Sequence, residues 1–208
     1  MPPKIKTEQE KQKLKTLIID AARELFVNKG VEAVSMREIA KRIGYSATTI
    51  YSHFRDKEAL LRAICDTDFL ALANALNGIM AIQDPVERMI MLGRGYASFA
   101  LNYPNHYRLM FMNPHVARTH EQSCIEEQNA EQNAYLQLKT VVAAVHDAGR
   151  FRADLKDIDL IAQTIWAGIH GVCSLEISMA QDDWFEWCEI NSRIALMQDV
   201  LIRGLVKD

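Results

Sequence analysis

Glycine and proline are scarce in this 208-residue chain, nine and five residues respectively. No segment alternates apolar and polar residues over strand length, and β-branched residues do not cluster between turn signals, so a sheet-based fold is excluded and an all-α one expected. Cysteine is sparse too. Cys65, Cys124, Cys173 and Cys188 stand far apart with no C-x-x-C pair, which argues against a zinc knuckle and a disulfide framework. Each reads as a small buried hydrophobe, and nothing in the sequence gives any of them the low-pKa surroundings of a redox sensor. Gly-rich phosphate loops, nucleophile elbows, metal-ligand clusters and paired carboxylates are all missing, which weighs against an enzyme and implies no cofactor.

Long hydrophobic runs are lacking as well. The longest uncharged apolar stretch, residues 160–175, is interrupted by Gln163, Thr164 and His170; it is short for a bilayer and reads as a buried core helix. The basic N-terminus is followed by no apolar segment, so a secretory signal is not expected. A soluble, cytoplasmic protein with no membrane partner is the expectation.

Apolar residues make up 49% of the chain, enough for a packed core. The net charge of -3 conceals an asymmetry: residues 1–62 carry 13 Lys and Arg against 8 Asp and Glu, and residues 63–208 carry 11 against 19. A basic N-terminal third on an acidic body fits a nucleic-acid-binding head, although a solvated charged helix produces the same count.

Periodicity begins at Leu14, after a Lys/Glu/Gln-rich segment read with residues 1–12 as a flexible arm. Leu14, Leu17, Ile18, Ala21, Leu25 and Phe26 form one helical stripe that stops before Gly30, a C-cap candidate. Ser35 with Glu38 offers a capping box for a second helix containing Ile39, Ala40 and Ile43, ended by Gly44. Ser46 can cap a third, from Ala47 to about Phe54. Two short helices joined by a Gly-containing turn make a helix-turn-helix.

From Lys57 a long helix runs to about Gly78, and further helices are expected from Asp84-Pro85, over 105–112, from Tyr135 to Gly149, from about Leu155 to Met179 and from Asp183 to about Leu205. About nine helices result. The division is a head over residues 1–56 and a regulatory and dimerisation body over 57–208, joined by continuous helix.

The segment Val34–Leu61, with Leu25-Phe26 and Gly30 before it, resembles the TetR family signature over about 50 residues in order and spacing. That resemblance implies a dimeric regulator that binds double-stranded operator DNA and senses a small-molecule effector through its body. A helix with short polar side chains fits the roughly 12 Å major groove. Ala47, Thr48 and Thr49 are small enough to approach base edges, while Ser46, Tyr51, Ser52, His53 and Lys57, with Ser35 and Arg37 at the supporting helix, can hydrogen-bond phosphates. Matching positions touch the DNA backbone in the family. Phe54, Ile50, Ile39 and Ile43 read as core, and Lys41 and Arg42 as a solvated face.

In the body, Trp166–Leu175 is similar to the WHG-type C-terminal domain of one TetR branch, and Tyr103–Phe111 to the segment that precedes it. Trp166 and His170 share a helix face, with Gly168 and Gly171 allowing close helix approach. A core Trp beside a hydrogen-bonded His is the first reading and ligand contact the second. Met89, Phe99, Tyr103, Met110 and Phe111 could line a cavity with them, or simply be core. His106, His115 and His120 lack metal-ligand spacing, so no metal is expected. Ile190, Ile194, Met197, Leu201 and Leu205 form a seam suited to a partner helix or to intrachain packing. Such a chain is expected to be a homodimeric repressor released by a small apolar or amphipathic ligand. The alternatives are an activator or ligand-independent regulator and, from a different class, a helical ligand-binding protein or enzyme.

Overall fold

The computed structural model describes residues 7–112, 129, 131–180, 182–183 and 186–207. Among these residues the regular structure is helical: α1 (Glu8–Lys29), α2 (Met36–Arg42), α3 (Ala47–Tyr51), α4 (Lys57–Asn77), a 3-10 turn (Gly78–Ala81), α5 (Pro85–Asn102), α6 (Pro104–Phe111), α7 (Ala134–Asp147), α8 (Ile158–Met179) and α9 (Ile190–Leu205). The single β-type pairing among them is an isolated bridge between Phe151 and Val206. The all-α expectation holds.

Helix α1 starts earlier than its apolar stripe. The arm expected over residues 1–12 is helical from Glu8, because Thr7 accepts from the Glu10 amide while the Glu10 carboxylate accepts from the Thr7 amide. This reciprocal cap, with the Lys11–Glu8 pair at 2.6 Å, sustains a first turn that buries no face. The buried face is Leu14, Ile18, Ile19, Ala21, Ala22 and Phe26, while Leu17 is 44% exposed and Leu25 half-buried. The stripe is therefore rotated from the one read off the sequence.

The chain divides into two compact units. The first holds the described residues up to Asp68 together with Asn105–Met112; the second holds Phe69–Pro104 and the described residues from Asn129 onward. Ile18, Phe26, Ile39, Ile50, Leu60, Ile64 and Tyr107 are fully buried in the first. Its core also contains charge. Asp68, wholly removed from solvent, accepts from Arg23 Nη2 at 2.7 Å and Nε at 3.2 Å. Arg23 Nη1 donates to Asp20 at 2.7 Å. Burial pushes the Arg23 pKa down, and the hydrogen bonds and charges of Asp68 and Asp20 outweigh it, so the net shift is upward.

In the second unit α5 packs against α7, α8 and α9, and α8 against α7 and α9. Two buried amides stitch it together: Gln137 Nε2 donates to Ala73 O and Asn77 Oδ1, and Gln198 Nε2 donates to Ile90 O. A Cβ at Gly168 would sit 3.1 Å from Met197 Sδ and Leu201 Cδ1, so the close α8–α9 approach expected there is real. Gly171 differs, with nothing among the described residues within 4 Å of a Cβ. Helix α9 begins at Ile190 rather than Asp183, because Glu189 caps it by accepting from the Ser192 amide.

Among the described residues one helix, Ile158–Met179, is long and apolar enough to cross a membrane. One face of it, Ile161, Ala162, Ile165, Ile169, Cys173 and Ile177, is buried against α5, α7 and α9, while Leu160 and Leu175 on the opposite side are exposed.

Removing one member of a buried ion pair costs about 3–5 kcal/mol, whereas replacing both with apolar side chains is often near neutral. Asp68→Ala is therefore expected to lower stability by about 3–5 kcal/mol in urea denaturation, and the double variant Arg23→Met/Asp68→Leu to recover most of it. Acid sensitivity has a separate origin. The carboxyl pKa values of Asp56, Asp84 and Glu189 are lowered chiefly by backbone amides that they accept at helix starts. Their contribution is complete above the ordinary carboxyl range near pH 4 and is lost as pH falls through their lowered folded values. Thermal denaturation should show a steep fall in Tm below roughly pH 4, reduced in Asp84→Asn; an unchanged slope in that variant would rule out this cause.

Candidate DNA-binding interface

Helix α2 is capped by Ser35, whose hydroxyl accepts from the Glu38 amide at 3.2 Å. The reciprocal half of the expected capping box does not form, because Lys29 Nζ takes the Glu38 carboxylate at 2.6 Å. Gly44 turns the chain with φ 73°, a conformation that disfavours side chains with a Cβ. Ser46 then caps α3 by accepting from the Thr49 amide, and its hydroxyl also lies 2.9 Å from Thr49 Oγ1.

Helix α3 ends at Tyr51, not near Phe54. Ser52 Oγ donates to Thr49 O, and the Phe54 amide folds back to Ile50 O, so the chain tightens to bring Phe54 into the core. Ile50, Ile39 and Phe54 are buried as expected, with Ile43 half-buried. They hold α2 against α3.

What this scaffold presents outward is polar. Arg37, Ser35, Ser46, Thr48, Tyr51 and Ser52 are exposed, and Ala47, Thr49, His53 and Lys57 are half-buried. Tyr45, absent from the sequence-derived set, is 42% exposed immediately before the Ser46 cap. Its place in the turn was the available signal, but an aromatic beside a turn glycine is ambiguous until its exposure is known.

The cations divide into two groups. Arg42 is paired with Glu24, Lys29 with Glu38 and Arg55 with Asp56; these hydrogen bonds and charges raise the pKa of Arg42 and Arg55. Arg37 and Lys41, both exposed on α2, have no ion pair among the described residues. A cation already neutralised by a neighbouring carboxylate is a weaker phosphate donor than one that is not.

Lys57 has an internal engagement. Its ammonium donates to Val31 O at 2.7 Å and Glu32 O at 3.4 Å, with the Glu32 carboxylate at 4.0 Å. It ties the start of α4 to the loop between α1 and α2, so the side chain has a structural task in the DNA-free protein.

The residues considered for effector binding do not all fall together. Met89, Phe99, Tyr103, Trp166 and His170 belong to the second unit, Met110 and Phe111 to the first. Met89, Phe99 and Met110 are buried, Tyr103 is 51% exposed, and the Phe111 ring is tilted against that of Tyr107 with centroids 4.9 Å apart. Tyr96, absent from the sequence-derived set, is the hub of the Trp166–His170 pair. Trp166 Nε1 donates to Tyr96 Oη at 3.2 Å, and Tyr96 Oη lies 2.9 Å from His170 Nδ1. Burial pushes the His170 pKa down, which favours a neutral ring. Tyr135 adds a ring 5.9 Å from Trp166.

Of the seam residues on α9, Ile194 is buried, Met197 and Leu201 face Gly168, and Ile190 and Leu205 are half-buried. The neighbouring face of α9 is the open one, with Leu196 65% and Val200 57% exposed. Among the described residues no group of three or more His, Cys, Asp and Glu could hold a metal; His115, His120 and Cys124 lie outside them. Burial pushes the Cys173 thiol up to about 12, which leaves it unreactive.

Residues 18–64 match the family described as "Bacterial regulatory proteins, tetR family", and residues 89–186 match "Tetracyclin repressor-like, C-terminal domain". The HTH-type transcriptional regulator UidR of Escherichia coli K12 is 35% identical over 89 residues, 41% of this chain and 45% of UidR. The chain thus aligns with less than half the length of that curated relative. A solved protein of unknown function from Rhodococcus sp. RHA1 is 25% identical with TM-score 0.75, covering 100% of both chains. A TetR family transcription regulator from Marinobacter aquaeolei VT8 shares the fold at 19% identity and TM-score 0.73, covering 97% of this chain and 100% of its own.

The exposed and engaged residues are expected to separate in mutagenesis. Tyr51→Ala should change stability by less than about 0.5 kcal/mol and weaken operator binding about tenfold, the loss of one good phosphate or base contact. Lys57→Met should cost about 1.5–3 kcal/mol of stability, the worth of hydrogen bonds to a charged group. Paired denaturation and gel-shift titrations check both, and a Tyr51→Ala protein that binds as well as the unaltered one would remove Tyr51 from the interface.

Proposed function

The chain belongs to the TetR family of bacterial transcriptional regulators, and from that premise we propose that it is a homodimeric repressor, released from a pseudo-palindromic operator by a small apolar or amphipathic effector. The observation that carries the DNA-binding half is the outward face of α2 and α3: Thr48, Tyr51 and Ser52 in solvent, with Arg37 and Lys41 unneutralised. Ala47, Thr48 and Thr49 are the base-edge group, and Ser35, Arg37, Ser46, Tyr51, Ser52 and His53 the phosphate group. Lys57 joins the latter only by exchanging loop carbonyls for a phosphate. The head spans residues 1–56 and the regulatory body 57–208. The protein acts in the cytoplasm and catalyses no reaction.

An exposed apolar face supports the dimeric part of this reading. Leu160 and Leu175 on α8 are 61% and 47% exposed, alongside Leu196 and Val200 on the adjacent α9. Apolar side chains concentrated on two neighbouring helices suit a self-complementary two-fold interface, and Gly171 leaves room for an approaching helix. Two joined heads are what a two-half-site operator requires. The effector contacts the Tyr96, Trp166 and His170 group, where a neutral ring and aromatic faces favour an uncharged or amphipathic molecule. It releases DNA by preferring the body conformation with misaligned heads.

The test is a gel-shift titration of the full chain against duplex DNA flanking its own coding region, at moderate salt. Binding at about 10⁻⁸ M or tighter, with at least about a thousandfold preference over unrelated duplex, is expected; equal affinity for both would overturn the assignment. Leu196→Asp/Val200→Asp is expected to sediment as a monomer and to lose specific binding. A dimer persisting in that variant would move the interface elsewhere.

A further inference from the structure

The open face of α9 is not purely apolar. Leu196, Asp199, Val200 and Arg203 follow one another at three- and four-residue steps, which places them on one stripe of the helix, and all four are exposed. Within the stripe Arg203 Nε donates to Asp199 Oδ1 at 2.8 Å. Helix α8, packed beside α9, has no Asp, Glu, Lys or Arg between positions 160 and 175, and its outward side chains there include Leu160, Gln163, Thr164, Ala167 and Leu175. The Thr164 hydroxyl already donates to Leu160 O at 2.7 Å. The charges that flank this stretch, Asp159 and Glu176, are held within the chain by Lys139 and Arg193.

We infer that Asp199 and Arg203 determine partner choice: through them this chain pairs with a second copy of itself in preference to another subunit that presents a similar apolar face. A partner that buries Leu196 and Val200 takes Asp199 and Arg203 out of water as well, because the four share one stripe. Charges moved into an interface are costly unless opposite charges answer them. The outward stretch of α8 in the second copy offers none, so the answer comes from the same pair on its α9. The two residues stand one helical turn apart. Where two α9 helices cross antiparallel, a two-fold axis at the height of position 201 sets Asp199 opposite Arg203 of the second copy and, by symmetry, Arg203 opposite its Asp199. Each carboxylate then lies between two guanidiniums, and each guanidinium between two carboxylates. On the surface of a single chain such a pair contributes little. Doubled across an interface it discriminates, since a subunit with like charge at these positions is repelled and one with no charge leaves the array incomplete.

The inference rests on the dimeric reading proposed above, and its test separates the two. Full-length Asp199→Arg, Arg203→Asp and the double variant Asp199→Arg/Arg203→Asp are compared with the unaltered chain by sedimentation equilibrium, and the two single variants are mixed and weighed by native mass spectrometry, one of them carrying a mass tag. Asp199→Arg opposes cations to cations and Arg203→Asp anions to anions, so each alone is expected to dissociate at least about a hundredfold more readily than the unaltered dimer. Mixed together they are expected to form heterodimers well above the half that random pairing gives. The double variant restores opposite charges across the axis and should dimerise as tightly as the unaltered chain. Single variants that dimerise normally, a mixture that pairs at random, or a double variant as weak as the singles would each overturn the inference; if Leu196→Asp/Val200→Asp is monomeric at the same time, the dimeric reading stands without it. An unaltered chain that sediments as a monomer, or a Leu196→Asp/Val200→Asp variant that remains dimeric, overturns the reading of this face and the inference with it.

Discussion

A carboxylate shut away from water has to be answered by a cation held at fixed geometry, and Asp68 imposes that demand on the first unit. Arg23 can answer it only if α1 lies against α4 at a particular height and rotation. This explains why α1 buries Ile19 and Ala22 in place of Leu17 and Leu25, a rotation that brings position 23 inward. The apolar core supplies the bulk of the driving force, but it would accept several rotations of a helix rich in Leu, Ile and Ala. The ion pair selects among them.

The recognition elements inherit their order from that arrangement. Five residues are too few for an isolated helix to persist in water. α3 is held by the Ser46 cap at its start, the Ser52 and Phe54 backbone turns at its end and Ile50 anchored beneath. Carboxylates from α1 and α2 cancel Lys29 and Arg42 and leave Arg37 and Lys41 as charge on offer. The net count of cations in the first 62 residues thus overstates the charge that a phosphate backbone would meet.

The body solves a different problem. Long apolar helices pack by close approach at Gly168 and by fully engaged amides at Gln198. Its polar–aromatic group centred on Tyr96 satisfies Trp166 and His170 within the chain, so those two residues have a structural role whether or not an effector reaches them. Apolar surface not consumed by this packing is displaced onto Leu160, Leu175, Leu196 and Val200. A monomer seldom leaves so much in water on two adjacent helices.

Sequence by itself determined the helical class, the order of the helices and the helix-turn-helix, because periodicity, caps and turn glycines are local and are written within a few residues of where they act. It also determined family membership, through motif density rather than any single residue. It could not determine which apolar stripe of α1 faces inward, that Glu38 would serve Lys29 rather than a capping box, that Lys57 would hold loop carbonyls, or that Tyr96 would join Trp166 to His170. Nor could it show that Ile194 and Met197 are spent inside the chain while Leu196 and Val200 are not. Those outcomes are contacts between residues distant in sequence, and only the tertiary structure decides which of several chemically adequate partners a side chain meets.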